Sequence, residues 1–270
     1  MPNLVFRSQK DLQNGRFTEY LNQGNIQGFF VNVEGTATSQ LDIDDLGNIK
    51  VNRNGRNIIN KPFAFFHRLM KEWGGTLEET TPATGATRVV TFVPFFFPEI
   101  ANNALEVLSD QELRVDVEQG TLSAFGSNAV TTRIIPVTAP QLVEVYEPEI
   151  LDDVLSFGGS GTQTDEIGLS NITRILLEDS NGTATSIQLS RDGRQVVDSL
   201  TSDEINDYSN MVNRVESNPD SLIEINPLEG LGIDAIESQF HRLRVEASGA
   251  TDVTYTWIRA VNYNPARLQA

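Results

Sequence analysis

The sequence predicts an all-β protein built from two tandem domains, residues 1–139 and 140–270. Three observations carry that expectation. The first is a duplication: four short segments occur twice, in the same order. GTATS stands at Gly35–Ser39 and again at Gly182–Ser186, and VNRNGRNII at Val51–Ile59 is answered by LSRDGRQVV at Leu189–Val197. LRVDVEQG at Leu113–Gly120 is echoed by LRVEASG at Leu243–Gly249, and VTTRIIPV at Val130–Val137 by VTYTWIRA at Val253–Ala260. The separations fall steadily, 147, 138, 130 and 123 residues, as expected if the first copy carries the longer loops. A repeat of that length is domain-sized and too long for a solenoid unit. The second observation is alternation of apolar and polar residues in LRVDVE and LRVEA, the pattern of a strand with one buried face. The third is a pair of turns, Asn54-Gly55 and Asp192-Gly193, at equivalent places in the two copies. These dipeptides favour the type I′ hairpin, which needs positive φ at both central residues.

In the first copy, residues 26–35, 39–44, 48–54, 87–97, 112–118 and 130–137 read as strands. The hairpin brings Arg53 and Arg56 to the ends of adjacent strands, as Arg191 and Arg194 are in the second copy. Local partners are the expectation for these arginines, with acidic residues of a neighbouring subunit as the alternative. The hairpin is followed by a helical pattern over 61–73. There Phe63, Phe66, Met70 and Trp73 share one face, Asn60 is a candidate N-cap, and Pro62 falls in the first turn. This aromatic stripe reads as core. Phe95, Phe96 and Phe97 in succession would put rings on both faces of a strand. One face would line the first domain and the other would meet the second domain or a neighbouring chain.

Residues 138–170 join the copies. LVEVY reads as a strand opening the second domain, and SFGGSGTQTDEIG as a mobile loop. Its GGSGT lacks the lysine of a phosphate-binding loop. Strands are expected at 172–179, 185–191, 221–227, 241–248 and 253–261. Thr201 and Glu204 form a capping box ahead of Ile205, Tyr208 and Val212, so the second copy also places a helix after its hairpin.

Composition excludes several classes of function. No run of 18 apolar residues suits a membrane-spanning helix. The opening MPNLVFRSQKDLQNGRF has no apolar core of signal-peptide length. There is no cysteine, hence no disulfide and no thiolate metal site. The net charge of −17 disfavours direct nucleic-acid binding, which needs a basic surface. Lysine occurs only at positions 10, 50, 61 and 71, a balance that suits saline surroundings or ordinary solubility.

The chemistry is sparse. His67 and His241 are the only histidines: His67 has no second histidine at i+4, so there is no zincin pattern, and one histidine per copy at non-equivalent positions argues against a duplicated cupin metal site. No nucleophile elbow is present. Two acidic clusters, Asp42 with Asp44 and Asp45, and Glu147 with Glu149, Asp152 and Asp153, lack EF-hand spacing. They read as solvated loops, with calcium as the alternative; no metal ligand can be assigned. No carboxylate pair is singled out for glycoside hydrolysis. The glycosylation patterns at Asn171 and Asn181 read as silent. The residues therefore describe a structural or binding protein with no catalytic residues and no cofactor.

A resemblance sharpens this. NIKVNRNGRNIINKPFAFFHRLMKEW followed by TFVPFFFPEIANNALEVLSDQELRVDVE resembles the first barrel of corticovirus-type double jelly-roll major capsid proteins. IQLSRDGRQVVDSLTSDEINDYSNMV, INPLEGLGIDAIESQFHRLRVEA and VTYTWIRAV resemble the second. The resemblance implies two eight-stranded jelly-roll β-barrels, each with one short helix after its (N/D)GR hairpin. It implies a homotrimer that forms a pseudo-hexagonal capsomer and tiles the icosahedral shell of a tailless bacteriophage or archaeal virus. The implied partners are neighbouring capsomers, an internal viral membrane and minor capsid proteins. The implied place is the virion, after synthesis in the host cytoplasm. A tandem β-sandwich binding protein, lectin or receptor-binding spike, is the alternative.

Overall fold

Two-residue turns and inward-facing branched side chains set the architecture. The computed structural model describes residues 8–11, 16–21, 24–72, 79–80, 84–96, 103–118, 120–139, 144–145, 147–168, 172–179, 181–201, 203–204, 222–225 and 241–261. These fall into two compact units, one drawn from Met1–Lys71 and Gly75–Pro148, the other from Glu149–Val261.

The first unit runs β1 (Ser8–Asp11), β2 (Arg16–Leu21), β3 (Gly24–Ala37), β4 (Asn48–Arg53), β5 (Arg56–Pro62) and helix α1 (Phe63–Glu72). It continues with β6 (Glu79–Thr80), β7 (Gly85–Pro94), β8 (Asn103–Val107), β9 (Leu113–Glu118), β10 (Val130–Thr138) and β11 (Glu144–Val145). One sheet has the order β1-β10-β3-β7, extended by β6, with β8 pairing β3 and β11; the other is β2-β9-β4-β5.

Strand β12 (Glu147–Phe157) carries the chain from the first unit into the second. There follow β13 (Gly161–Ile167), β14 (Ile172–Asp179), β15 (Ala184–Arg191), β16 (Arg194–Leu200), β17 (Leu222–Ile225), β18 (His241–Ala247) and β19 (Thr251–Val261). The sheets are β12-β19-β14-β17 and β13-β18-β15-β16.

Set aside β6, β8 and β11, which have no equivalent among the described residues of the second unit, and number the strands of each unit one to eight. Both units then read 1-8-3-6 in one sheet and 2-7-4-5 in the other. That order, in two four-stranded sheets, is a jelly roll, and the chain is a double jelly roll. The repeated segments take matching places. The NGR and DGR turns join strands four and five, the LRV segments are strand seven, and VTTRIIPV and VTYTWIRA are strand eight. GTATS ends strand three in the first unit and leads into strand four in the second.

Alternation decides what is buried. In β9, Leu113, Val115 and Val117 are buried against the core of the first unit. In the second unit Leu243, Val245 and Ala247 of β18 pack with Ile175, Leu177, Tyr255 and Trp257. Both hairpins have the expected backbone: φ is 49° at Asn54 and 82° at Gly55, 46° at Asp192 and 78° at Gly193.

Several expectations are corrected. Residues 39–44 are not a strand. Asp42 accepts the N–H of Asp44 at 3.0 Å and starts a 3-10 turn, Ile43–Leu46, which buries Leu46. The helix begins at Phe63, not at 61. Asn60 and Pro62 belong to β5, an edge strand whose last residue can be proline without losing a ladder bond. The N–H of Phe63 donates to the carbonyl of Gly47 at 2.8 Å; of the aromatic stripe Phe63 and Phe66 are core, joined by Phe65 and Leu69, while Met70 is half-buried. SFGGSGTQTDEIG is not a loop: after a bend at 158–160, β13 pairs along its whole length with β18. Phe95 and Phe96 lie past the end of β7. Phe95 is buried edge-on to Phe29 at 5.5 Å, and Phe96 is half-buried beside Phe92 at 6.1 Å. In the second copy the capping box is formed: Thr201 N–H donates to Glu204 Oε2 at 2.8 Å, and Glu204 N–H to the Thr201 hydroxyl at 3.2 Å. The expectations for Trp73, Phe97, Asn171, Ile205, Tyr208 and Val212 lie outside the described residues.

Candidate functional site

The alternation of β4 puts Arg53 on the same face as Ile49 and Val51, and all three are buried. An inward guanidinium needs acceptors, because a buried charge is costly unless paired and hydrogen-bonded. Arg53 has them. Its Nη1 lies 2.9 Å from Glu147 Oε2, while Nη2 donates to the Glu106 carbonyl at 2.8 Å and to Gln111 Oε1 at 2.6 Å. Across the turn, Arg56 pairs with the other oxygen of Glu147. One carboxylate, fully buried, is thus straddled by two arginines, one oxygen each. The turn is tied down as well. Asn54 N–H donates to the Glu112 carbonyl at 3.0 Å, and Asn54 Oδ1 accepts the Glu112 N–H at 2.8 Å.

For this hairpin the partners lie within the same unit, but Arg53 is a buried and not a solvated hairpin end, and its carboxylate partner is distant in sequence. The partner's identity corrects one expectation: Glu147 and Glu149 are buried, not part of a solvated loop. Glu149 accepts from Arg259 at 2.8 Å. Asp152 accepts from the Thr256 hydroxyl at 3.0 Å, and Asp153 from the N–H of Val154 at 2.8 Å. The other acidic cluster is divided too. Asp44 pairs with Arg68 at 3.0 Å, and Asp45 accepts from the Ser123 hydroxyl at 3.3 Å. Among the described residues no three His, Cys, Asp or Glu side chains gather as a metal set. His67 lies buried on α1 with Nδ1 3.3 Å from the Val90 carbonyl oxygen, and His241 lies buried at the start of β18 in the other unit.

The second hairpin has the same cross-strand pairing, Arg191 opposite Arg194. Arg194 is exposed and Arg191 half-buried. Nearby on β18, Arg242 pairs with Glu166 at 2.7 Å and Arg244 with Glu246 at 2.7 Å, both at the surface.

The outer sheet faces differ in chemistry. On β9, Asp116 is buried beneath Arg16 and Arg114, with Thr18 donating at 2.6 Å and Asn52 at 3.4 Å. Burial pushes its carboxyl up, but the bonds from Arg16 and Thr18 and the charges of Arg16 and Arg114 outweigh it, holding it below the usual range. On the outer face of the other sheet, the Phe30 ring meets that of Phe92 in a tilted contact at 4.8 Å, with Ile135 opposite Phe30 across β3 and β10.

No protein-family model matches the sequence, and no curated protein matches it. Solved structures match its fold from end to end. The major capsid protein P2 of bacteriophage PM2 superposes with a TM-score of 0.69 at 12% identity, covering 98% of this chain and 99% of that one. The STIV MCP gives 0.72 at 10% identity, with 99% of each chain covered. The PBCV-1 virus capsid gives 0.63 at 10% identity, covering 96% and 93%. At these identities the likeness is one of fold. The tandem lectin or spike reading finds no support among them.

Proposed function

We propose that this chain is the major capsid protein of a membrane-containing icosahedral virus, a structural subunit without catalytic activity. The observation that carries the reading is the strand order 1-8-3-6 and 2-7-4-5, repeated in two barrels of one chain. Viral coat proteins match that arrangement over nearly their whole length and nearly all of this chain. With barrels over residues 1–139 and 140–270, three chains present six similar blocks around one axis. A homotrimer is then a pseudo-hexagonal tile, and tiles associate through complementary flanks, with no need of a reactive cleft. The partners of such a tile are neighbouring capsomers, the internal membrane and minor capsid proteins, in the virion of a tailless bacteriophage or archaeal virus. Synthesis takes place in the host cytoplasm. With 37 acidic against 20 basic side chains, direct contact with the genome is not among its roles.

Light scattering of the purified protein at low and high salt tests this. The expected species is about 90 kDa, three times the 29.8 kDa chain, or hexagonal sheets visible by electron microscopy. A strict monomer in both salts overturns the reading.

A further inference from the structure

We propose that the outer face of the β2-β9-β4-β5 sheet docks a second copy of this chain, taking Asp152, Asp153 and Val154 on that copy's β12. The inference deepens the self-assembly reading above and rests on it.

Strand register sets the face out in three ranks. Tyr20, Arg114 and Asn52 form one, Thr18, Asp116 and Lys50 the next, and Arg16, Glu118 and Asn48 the third. Its charges are displayed unequally. The Asp116 side chain has no solvent exposure, while that of its partner Arg16 is 47% exposed. Arg114, Lys50 and Glu118 are each about one-third exposed. Three cations thus face solvent against one carboxylate, in a chain whose net charge is −17. Beside them Tyr20 stands 52% exposed, directly opposite Arg114. Tyrosine and arginine are the side chains that most often anchor an interface.

The equivalent sheet of the second unit is different. On β18, Arg242 pairs with Glu166 and Arg244 with Glu246, and each acid is about as exposed as its arginine. That face is balanced in charge, and among the described residues it exposes no large hydrophobic side chain.

Charge decides the sign of the occupant, and closure decides which part of it arrives. A ring of three two-barrel chains closes through heterologous contacts, the first unit of one chain against the second unit of the next. Among the described residues of the second unit, Val154 is the one exposed large hydrophobic side chain, and the exposed Asp152 and Asp153 precede it. All three lie on β12, an outer strand of its sheet. Acid beside an apolar side chain meets cation beside an aromatic ring. Copies this acidic repel one another, and such a contact offsets the repulsion where the surfaces meet.

The test uses the full chain with Tyr20→Glu, Val154→Lys and the two combined. Leu108→Glu, at the remaining exposed large hydrophobic position, is the control. Self-association is followed by light scattering on dilution at low salt, and folding by thermal unfolding. Tyr20→Glu sets acid against acid and Val154→Lys sets cation against cation, so each weakens self-association about tenfold or more. Combined, they face each other as an ion pair and recover most of that loss. Leu108→Glu has little effect, and all four variants melt like wild type. Two single losses that simply add in the double variant would mean that the positions do not meet, and would overturn the proposal. So would equal weakening by Leu108→Glu, which would mark a general charge effect. Single variants that assemble like wild type overturn it as well, whether they melt lower, which would make Tyr20 a packing residue of its own chain, or lose binding to phosphatidylserine vesicles, which would make the occupant a lipid surface. A wild type that stays monomeric in every salt overturns the self-assembly reading and this contact together, whereas a wild type that assembles and variants that assemble equally well overturn the contact alone.

Discussion

The two (N/D)GR hairpins have one backbone and two environments. In the first unit the arginines close over Glu147, a residue with no solvent exposure, and Arg53 is buried; in the second its counterpart Arg191 is only half-buried, while Arg56 and Arg194 are both exposed. The turn dipeptide and the alternation of the strands set the hairpin itself, and both are repeated. What the hairpin holds is decided elsewhere in the chain, 94 residues away from Arg53 in the first unit. Duplicated sequence thus carries over local geometry faithfully and partners only by accident of what lies beyond the repeat.

The largest expected effect breaks the comparison at its buried end. Glu147→Gln leaves Arg53 and Arg56 around a neutral amide, and losing one partner of a buried pair costs about 3–5 kcal/mol. A surface pair of the second unit serves as the contrast: Glu166→Gln touches the exposed pair with Arg242 and costs at most ~1 kcal/mol. Denaturant unfolding of the two variants checks the difference, and equal midpoints would mean that the buried cluster contributes no more than a surface pair. A second contrast lies just after strand seven of each unit. A Cβ on Gly120 would meet the Asp45 carbonyl oxygen at 1.9 Å and Gly47 N at 2.7 Å, whereas one on Gly249 meets only the Thr183 methyl, at 3.5 Å. Gly120→Ala must push backbone aside and costs ~1–3 kcal/mol or more, while Gly249→Ala stays within ~0.5 kcal/mol. Matched melting temperatures for the two would contradict this.

The smallest effect separates the units by salt and acid. Burial raises Asp179 in the second unit as it does Asp116 in the first, yet both end below the ordinary carboxylate range. Asp179 is held there by the Thr251 hydroxyl and the N–H groups of Ala184, Asn181 and Gly182, without a cation. Asp116 depends on Arg16, whose side chain is about half exposed. A folded pKa below the unfolded one gives stability that is present above about pH 4 and lost as pH falls through the folded value. Salt screens the half-exposed arginine but not the hydroxyl and amides. Carboxylate titration by NMR should therefore show Asp116 moving up with added salt and Asp179 staying put; parallel shifts would refute the assignment of cause.

The sequence was informative wherever structure is local. Asn54-Gly55, Asp192-Gly193, Thr201 with Glu204, and the alternating LRV segments each sit as their chemistry requires. Polar edge strands were the weak point: SQKD in β1 and RFTEYL in β2 have little apolar periodicity, because each pairs along one side only. GTQTDEI was hidden by the glycines and serines before it, although its threonines suit a strand. In SQLDID, a side-chain cap at Asp42 overrode alternation. The ion cluster joins residues far apart in the chain, so spacing could not reveal it. One signal was present: Arg53 falls where alternation demands an inward side chain, and an inward arginine calls for a carboxylate.

In both barrels the first strand pairs with the last, β1 with β10 and β12 with β19. Each barrel therefore receives and releases its chain at one end, on neighbouring strands. A gene encoding a single barrel could be copied head to tail and fused with only a short connector, such as the eight residues between Thr138 and Glu147. No strand would need rethreading. The same property makes circular permutation of either barrel sterically cheap, and it lets the two halves diverge in surface chemistry while keeping one blueprint.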